Sequence, residues 1–150
     1  MRRAIALADE NVRSGRGGPF GAVVARAGVI LGEGANQVTA SNDPTAHAEV
    51  VAIRNACRAL GDFRLAGCEM YASCEPCPMC LGAVYWARLE RLWFAADRAD
   101  AARAGFDDGV IYAEIAADLE ARALPTARLL VAPGRAVLER WRTTPDRIPY

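Results

Sequence analysis

Apolar residues recur every three or four positions at the start of the chain. Ile5, Ala8 and Val12 share one face, which predicts a helix over residues 3–14. The run Ser14-Gly15-Arg16-Gly17-Gly18-Pro19 breaks it. Residues 20–27, with β-branched Val23 and Val24, read as a strand; Gly28 turns the chain and residues 29–38 return as its partner. A polar loop is expected over 39–44. From Thr45 a long helix is expected, because Val50, Ile53, Cys57 and Leu60 step along one face and Gly61 follows as a cap. Residues 69–73 and 92–95 read as short strands flanking a helix over 79–87. Further on, 110–119 read as helical, Leu124-Pro125 interrupts, 128–131 read as a fifth strand and 136–142 as a last helix. Pro145 and Pro149 then predict an extended tail over 143–150.

Helix, hairpin, helix, strand, helix and strand in that order imply an α/β fold with a mixed sheet between helical layers. Helical crossovers after strands favour parallel pairing late in the sheet. The expectation is a three-layer α/β/α domain with a five-stranded mixed sheet and helices on both faces. With 150 residues, 53% of them hydrophobic, and no repeats or linker, one domain is long enough to close its own core.

Charge narrows the function classes. The formal net charge is zero and all 18 basic residues are arginine, a compositional bias with no basic run in it. Phosphate binding relies on clustered cations, so the sequence carries no nucleic-acid footprint. No stretch approaches the roughly 18 apolar residues of a membrane span. The start Met1-Arg2-Arg3 leads into a short helix and not a signal peptide. Five cysteines is an odd number, and three crowd into Cys74–Cys80. That points to metal ligation in a cytoplasmic protein, not to a disulfide framework.

The chemistry concentrates in Ser73-Cys74-Glu75-Pro76-Cys77-Pro78-Met79-Cys80 and, upstream, Thr45-Ala46-His47-Ala48-Glu49. Residues at i and i+3 neighbour each other on a helix surface, so a helix starting near Pro78 presents Cys77 and Cys80 to one metal. His47 is the only histidine in the chain. His, Cys and Cys suit zinc, and three protein ligands leave a fourth position for water. Glu49 stands two residues from the histidine as a proton shuttle; a solvated first-turn carboxylate is the plainer role for it. On a helix the two would diverge by about 200°, so a shared site has to lie off the helix N-terminus. Cys74, Cys77 and Cys80 also begin like an iron–sulfur run, but positions 84 and 85 are Val and Tyr and supply no fourth cysteine. A structural zinc site would need Cys74 as fourth ligand. Cys57 and Cys68 read as small buried side chains.

The H-x-E and P-C-x-x-C elements together resemble the zinc deaminases of the cytidine deaminase-like superfamily, in its cytidine and deoxycytidylate deaminase-type branch. Gly18-Pro19-Phe20-Gly21-Ala22, Ala35-Asn36 and Ala104-Gly105-Phe106-Asp107-Asp108 extend the likeness over nearly the whole chain, more narrowly to the bacterial guanine deaminases, and the Gly105-Phe106-Asp107-Asp108 part is what favours guanine. The resemblance implies zinc on His47, Cys77 and Cys80, Glu49 as catalytic acid and base, and guanine, a purine base, as substrate. It implies substrate contacts at Phe20, Asn36, Ala48, Trp86 and Asp108. It also implies a homodimer in which a C-terminal segment, about 133–150, is exchanged so that Tyr150 reaches the neighbouring site. Plainer readings stand beside these: core packing for Phe20 and Trp86, turn chemistry for Asn36, a helix cap for Asp107 or Asp108, and a loose terminus for Tyr150. Other substrates fit the same scaffold, among them guanosine, cytosine, an amino-triazine or a tRNA adenosine. A zinc-stabilised module without turnover is the alternative outside catalysis.

Overall fold

The hairpin forms where hydrophobic alternation places it. In the computed structural model, which describes residues 1–150, β1 (Gly21–Arg26) pairs antiparallel with β2 (Val29–Ala35). β1 also pairs antiparallel with β3 (Glu69–Cys74), and β3 pairs parallel with β4 (Arg91–Ala96). The sheet is therefore mixed, in the order β2-β1-β3-β4, with four strands where five were expected. Residues 128–131 supply no strand. Leu130 adopts a left-handed φ of 52° and serves as N-cap of a long helix that begins at Val131. An apolar run this short cannot by itself distinguish a strand from the approach to a helix.

Helices cover both faces. α1 (Arg2–Arg13) lies against the face that carries Gly21, whose α-carbon hydrogen points at the backbone of Ala4 and Ala8. The face carrying Ala22 and Val24 carries their cross-strand partners Gly34 and Gly32 too. These glycines meet α3 (Ala48–Leu60). A β-carbon on Gly32 would stand 2.5 Å from the Ala52 carbonyl oxygen, and one on Gly34 would collide with the Ala48 carbonyl. The helix answers with Ala48, Ala52 and Ala56, all fully buried. Glycine on the strand and alanine on the helix let the two backbones close to near contact. The face inferred from Val50, Ile53, Cys57 and Leu60 lies to one side of this seam; Ile53, Cys57 and Leu60 pack only partly buried against the core. That core also includes Leu65, Cys68, Met70, Val84 and Ala87.

Several boundaries moved. The return strand stops at Ala35, and a single-turn helix, α2 (Val38–Ser41), ends at left-handed Asn42 within the expected loop. α3 starts at Ala48, not Thr45, and α4 (Pro78–Trp86) starts one residue before the expected helix. α5 (Arg98–Arg103) was not expected at all; a reciprocal capping box between Asp97 and Asp100 starts it.

The chain divides into two compact units, Met1–Gly109 and Val110–Tyr150. In the latter, α6 (Gly109–Ala116) runs into a 3₁₀ turn at Leu119–Ala121, and α7 (Val131–Thr143) starts five residues before the expected helix. None of residues 110–150 is buried. The tail leaves the helix at Thr144 and turns at Pro145 and Asp146. No helix is long and apolar enough to cross a membrane.

Candidate active site

Two helix N-termini converge on one point. His47 is the N-cap of α3 and Cys77 the N-cap of α4, both with extended backbone, and Pro78 fills the first helical position of α4. An N-cap lies outside the helical screw. His47 therefore escapes the angular conflict with Glu49, which sits in the first turn of the same helix. Cys80 follows one turn into α4 and is fully buried. Both sulfurs lie 3.5 Å from His47 Nδ1. Across all three residues the ligand atoms stay within 4.8 Å of one another.

Cys74 does not join them. Its thiol points to the Asp97 carbonyl oxygen at 3.5 Å. The cluster thus has three protein ligands, as an open catalytic zinc site requires and a closed structural one does not.

The protons of this cluster are shared unequally. Cys77 is drawn down to about 4, first by the hydrogen bond from the Cys80 thiol and, against burial, by His47. Cys80 is pushed up, first as donor to Cys77, then by burial and the Glu49 charge. His47 is raised mainly by its hydrogen bond with Cys77. Protons here hold together a thiolate, a thiol and an imidazole that a soft divalent cation would bind in their place. The donor set fits zinc. Glu49 is 6% exposed, and burial raises its pKa before any other cause.

The residues expected to contact substrate lie, Tyr150 apart, in the unit Met1–Gly109. Phe20 meets Phe106 edge to face, with ring centroids 4.8 Å apart and planes at 83°. Asn36 is buried at the end of the hairpin. Its side-chain oxygen accepts the N–H groups of Gly18 and Val38 at 3.4 and 3.3 Å. Two backbone donors can face only the oxygen of a carboxamide, so its Nδ2 points elsewhere. No buried side-chain nitrogen lacks a partner, and this Nδ2 has none, so it opens onto accessible space. Asp107 accepts the Gly109 N–H at 2.9 Å and takes the turn role. Asp108 is left half-buried; its pKa is raised first by desolvation and next by the charge of Cys77, with Arg98 opposing. Ala48 is fully buried beneath β2, leaving only its backbone for other work. Trp86, the last residue of α4, is 68% exposed. Tyr150 belongs to the unit Val110–Tyr150.

Sequence reasoning passed over two residues that hold this site in shape. Asn11, on α1, is 4% exposed and donates to the carbonyls of Gly18 and Asn36. Its signal was a polar residue in register with buried Ala4 and Ala8. Glu75, inside the cysteine motif, accepts the N–H of Arg98 and so ties that motif to α5.

Residues 1–96 match the family described as the cytidine and deoxycytidylate deaminase zinc-binding region. The chain belongs to this family. The guanine deaminase of Bacillus subtilis strain 168 is 51% identical over 150 residues, covering 100% of this chain and 96% of that protein. The crystal structure of guanine deaminase from Bacillus subtilis superposes with a TM-score of 0.96 over 99% of this chain and 95% of that one. A tRNA-specific adenosine deaminase of Agrobacterium fabrum is 45% identical over 78 residues, which is 52% of this chain and 51% of that protein. This family member is a zinc-dependent hydrolytic deaminase, and His47, Cys77 and Cys80 form the cluster suited to the metal.

Proposed function

We propose that the chain converts guanine and water to xanthine and ammonia, as a cytoplasmic enzyme of purine catabolism or salvage. One observation carries the reading: its likeness to the guanine deaminase of Bacillus subtilis runs the full length of both chains, whereas the tRNA-specific relative matches about half. The polarity of the site supports it. Asn36 offers donors and Asp108 an acceptor, the complement of a ring with an oxo edge and N–H groups.

His47, Cys77 and Cys80 would hold the zinc, which would supply the acidity that makes a water nucleophilic at neutral pH. Glu49 accepts the proton of the attacking water and passes it to the ring nitrogen beside C2; it then takes the second proton from the new C2 hydroxyl and delivers it to the departing amine, leaving the C2 oxo group. Burial raises its proton affinity, as a group that both takes and returns a proton needs. Phe20, steadied by Phe106, packs on the ring face, and Asn36 and Asp108 hold its edges. Ala48 contributes backbone, and Trp86 walls the pocket. The protein works as a homodimer with the segment around 133–150 exchanged, bringing Tyr150 over the neighbour's site. A second unit without a buried residue supports that exchange.

The test is ammonia release by zinc-loaded protein from guanine, guanosine, adenine, cytosine and an amino-triazine. Guanine far above the others is expected. Turnover of a different member alone would keep the zinc chemistry and discard the roles of Asn36 and Asp108. Silence across the panel with zinc bound would leave a tRNA adenosine as substrate, or a zinc module that turns nothing over.

A further inference from the structure

Asn36 is aimed by a ring of hydrogen bonds that closes through α1. Its side-chain oxygen takes the Gly18 N–H, and its backbone N–H donates to the Phe20 carbonyl at 3.0 Å. The remaining link is Asn11, whose Nδ2 donates at 2.9 Å to both the Gly18 carbonyl and the Asn36 carbonyl. Two carbonyl oxygens can face only the nitrogen of a carboxamide, so the orientation of Asn11 is fixed as firmly as that of Asn36. Gly17 adjoins this junction with no room for a side chain. A β-carbon there would stand 2.9 Å from Asn11 Nδ2 and would collide with the Asn36 carbonyl.

We propose that Asn11 is a positioning residue for substrate recognition, joining the Gly18–Phe20 loop to Asn36 so that the Asn36 amide presents its donors to the purine. The inference rests on the guanine reading above. Asn11 acts through Asn36 and the loop carrying Phe20. Without it the Asn36 carbonyl loses its donor, the Gly18 carbonyl keeps the Phe20 N–H alone, and the Gly18 N–H that orients the Asn36 oxygen is free to drift. A polar side chain kept 96% out of solvent on a helix otherwise packed through alanine is retained at a cost unless its bonds have a use.

The experiment measures guanine binding at equilibrium by zinc-loaded protein carrying Glu49→Gln, which halts turnover. Asn11→Ala, Asn36→Ala and both together are then added in that background. Asn11→Ala should weaken binding about tenfold with zinc content unchanged, the scale of one hydrogen bond lost from a buried network. In the Asn36→Ala background the same change should cost less than about twofold, because residues acting through one another are non-additive. Additive losses, or undiminished binding in Asn11→Ala, would overturn the role of Asn11. No guanine binding by the Glu49→Gln parent would instead sink the guanine reading. Asn11→Ser keeps one donor and should give an intermediate loss if Asn11→Ala does not fold. If neither variant yields folded zinc protein, Asn11 serves folding and the proposal fails.

Discussion

The Asp107 carboxylate accepts the N–H of Gly109 at 2.9 Å, two residues ahead in the chain. Adjacent acidic residues thereby divide their work. Asp107 makes the turn into α6, and Asp108 faces a half-buried environment that senses the charge of Cys77. Asp108→Ala should lower kcat/KM on guanine by roughly 10–100-fold, in line with a lost hydrogen bond to a charged group, and leave zinc bound. Asp107→Ala should cost about 1 kcal/mol of stability and little recognition. Parallel kinetics, zinc stoichiometry and thermal melts on the two variants check this. Equal loss of zinc and activity in Asp108→Ala would assign it to folding.

Glu49 is buried next to the metal cluster and carries no structural hydrogen bond to another side chain beyond its contact with Cys80. Glu49→Gln keeps its shape and removes its proton transfer. Turnover should fall on the order of 10²–10⁴-fold, the usual worth of a positioned acid or base. Zinc content should stay near that of the parent. Ammonia release paired with metal analysis reads both, and an active Glu49→Gln would remove the carboxylate from the mechanism.

The metal cluster was legible because its residues lie in short local patterns: a helix start fixes the relation of Cys77 to Cys80, and one histidine leaves no competitor for His47. The hairpin and α3 were legible from periodicity. The seam between them was not. Ala48, Ala52 and Ala56 give a weak apolar signal, and glycines opposite them look like breakers until the helix is seen resting there. The fifth strand failed for a related reason, since residues 128–131 satisfy strand composition but pair with nothing in their own unit. α5 had a readable signal in the spacing of Asp97 and Asp100, and it went unused. Asn11 shows in the sequence only as a polar residue in register with Ala4 and Ala8; the two carbonyls it joins come together only in the fold.

Gly32 gives the simplest test of that seam. Its missing side chain admits the Ala52 carbonyl and the Ala56 N–H, both 2.5 Å from where a β-carbon would sit. Neither is the movable end of a side chain. Gly32→Ala should therefore reach the upper end of overpacking costs, about 3 kcal/mol, and lower Tm by roughly 6–12 °C. Scanning calorimetry on zinc-loaded protein measures it. A neutral Gly32→Ala would mean that α3 and β2 are not so closely packed in solution.

Three cysteines crowd the motif, and two of them belong to the metal. Cys74→Ser should retain one zinc per chain, because that sulfur faces the Asp97 carbonyl. Cys80→Ser removes one of three ligands. It should weaken zinc binding beyond the roughly 10–100-fold that loss of an outer-shell partner costs. Competition against a chelator of known affinity ranks the variants. Loss of zinc from Cys74→Ser as severe as from Cys80→Ser would point to a closed, four-ligand site.

The exchanged dimer rests on what residues 110–150 lack. None of them is buried, and α7 holds Val137, Leu138 and Trp141 at 60%, 70% and 46% exposure. These positions fall on one face at helical spacing. A continuous apolar face of this kind marks an interaction surface, and a second copy of the chain is the partner proposed for it. Light scattering on zinc-loaded protein should give twice the 16.1 kDa chain mass. Leu138→Arg should shift the protein toward monomer and lower turnover with it, because the tail ending in Tyr150 would no longer be delivered to a neighbouring site. A fully active monomer would show that each chain completes its own site, and the exchange would have to be abandoned.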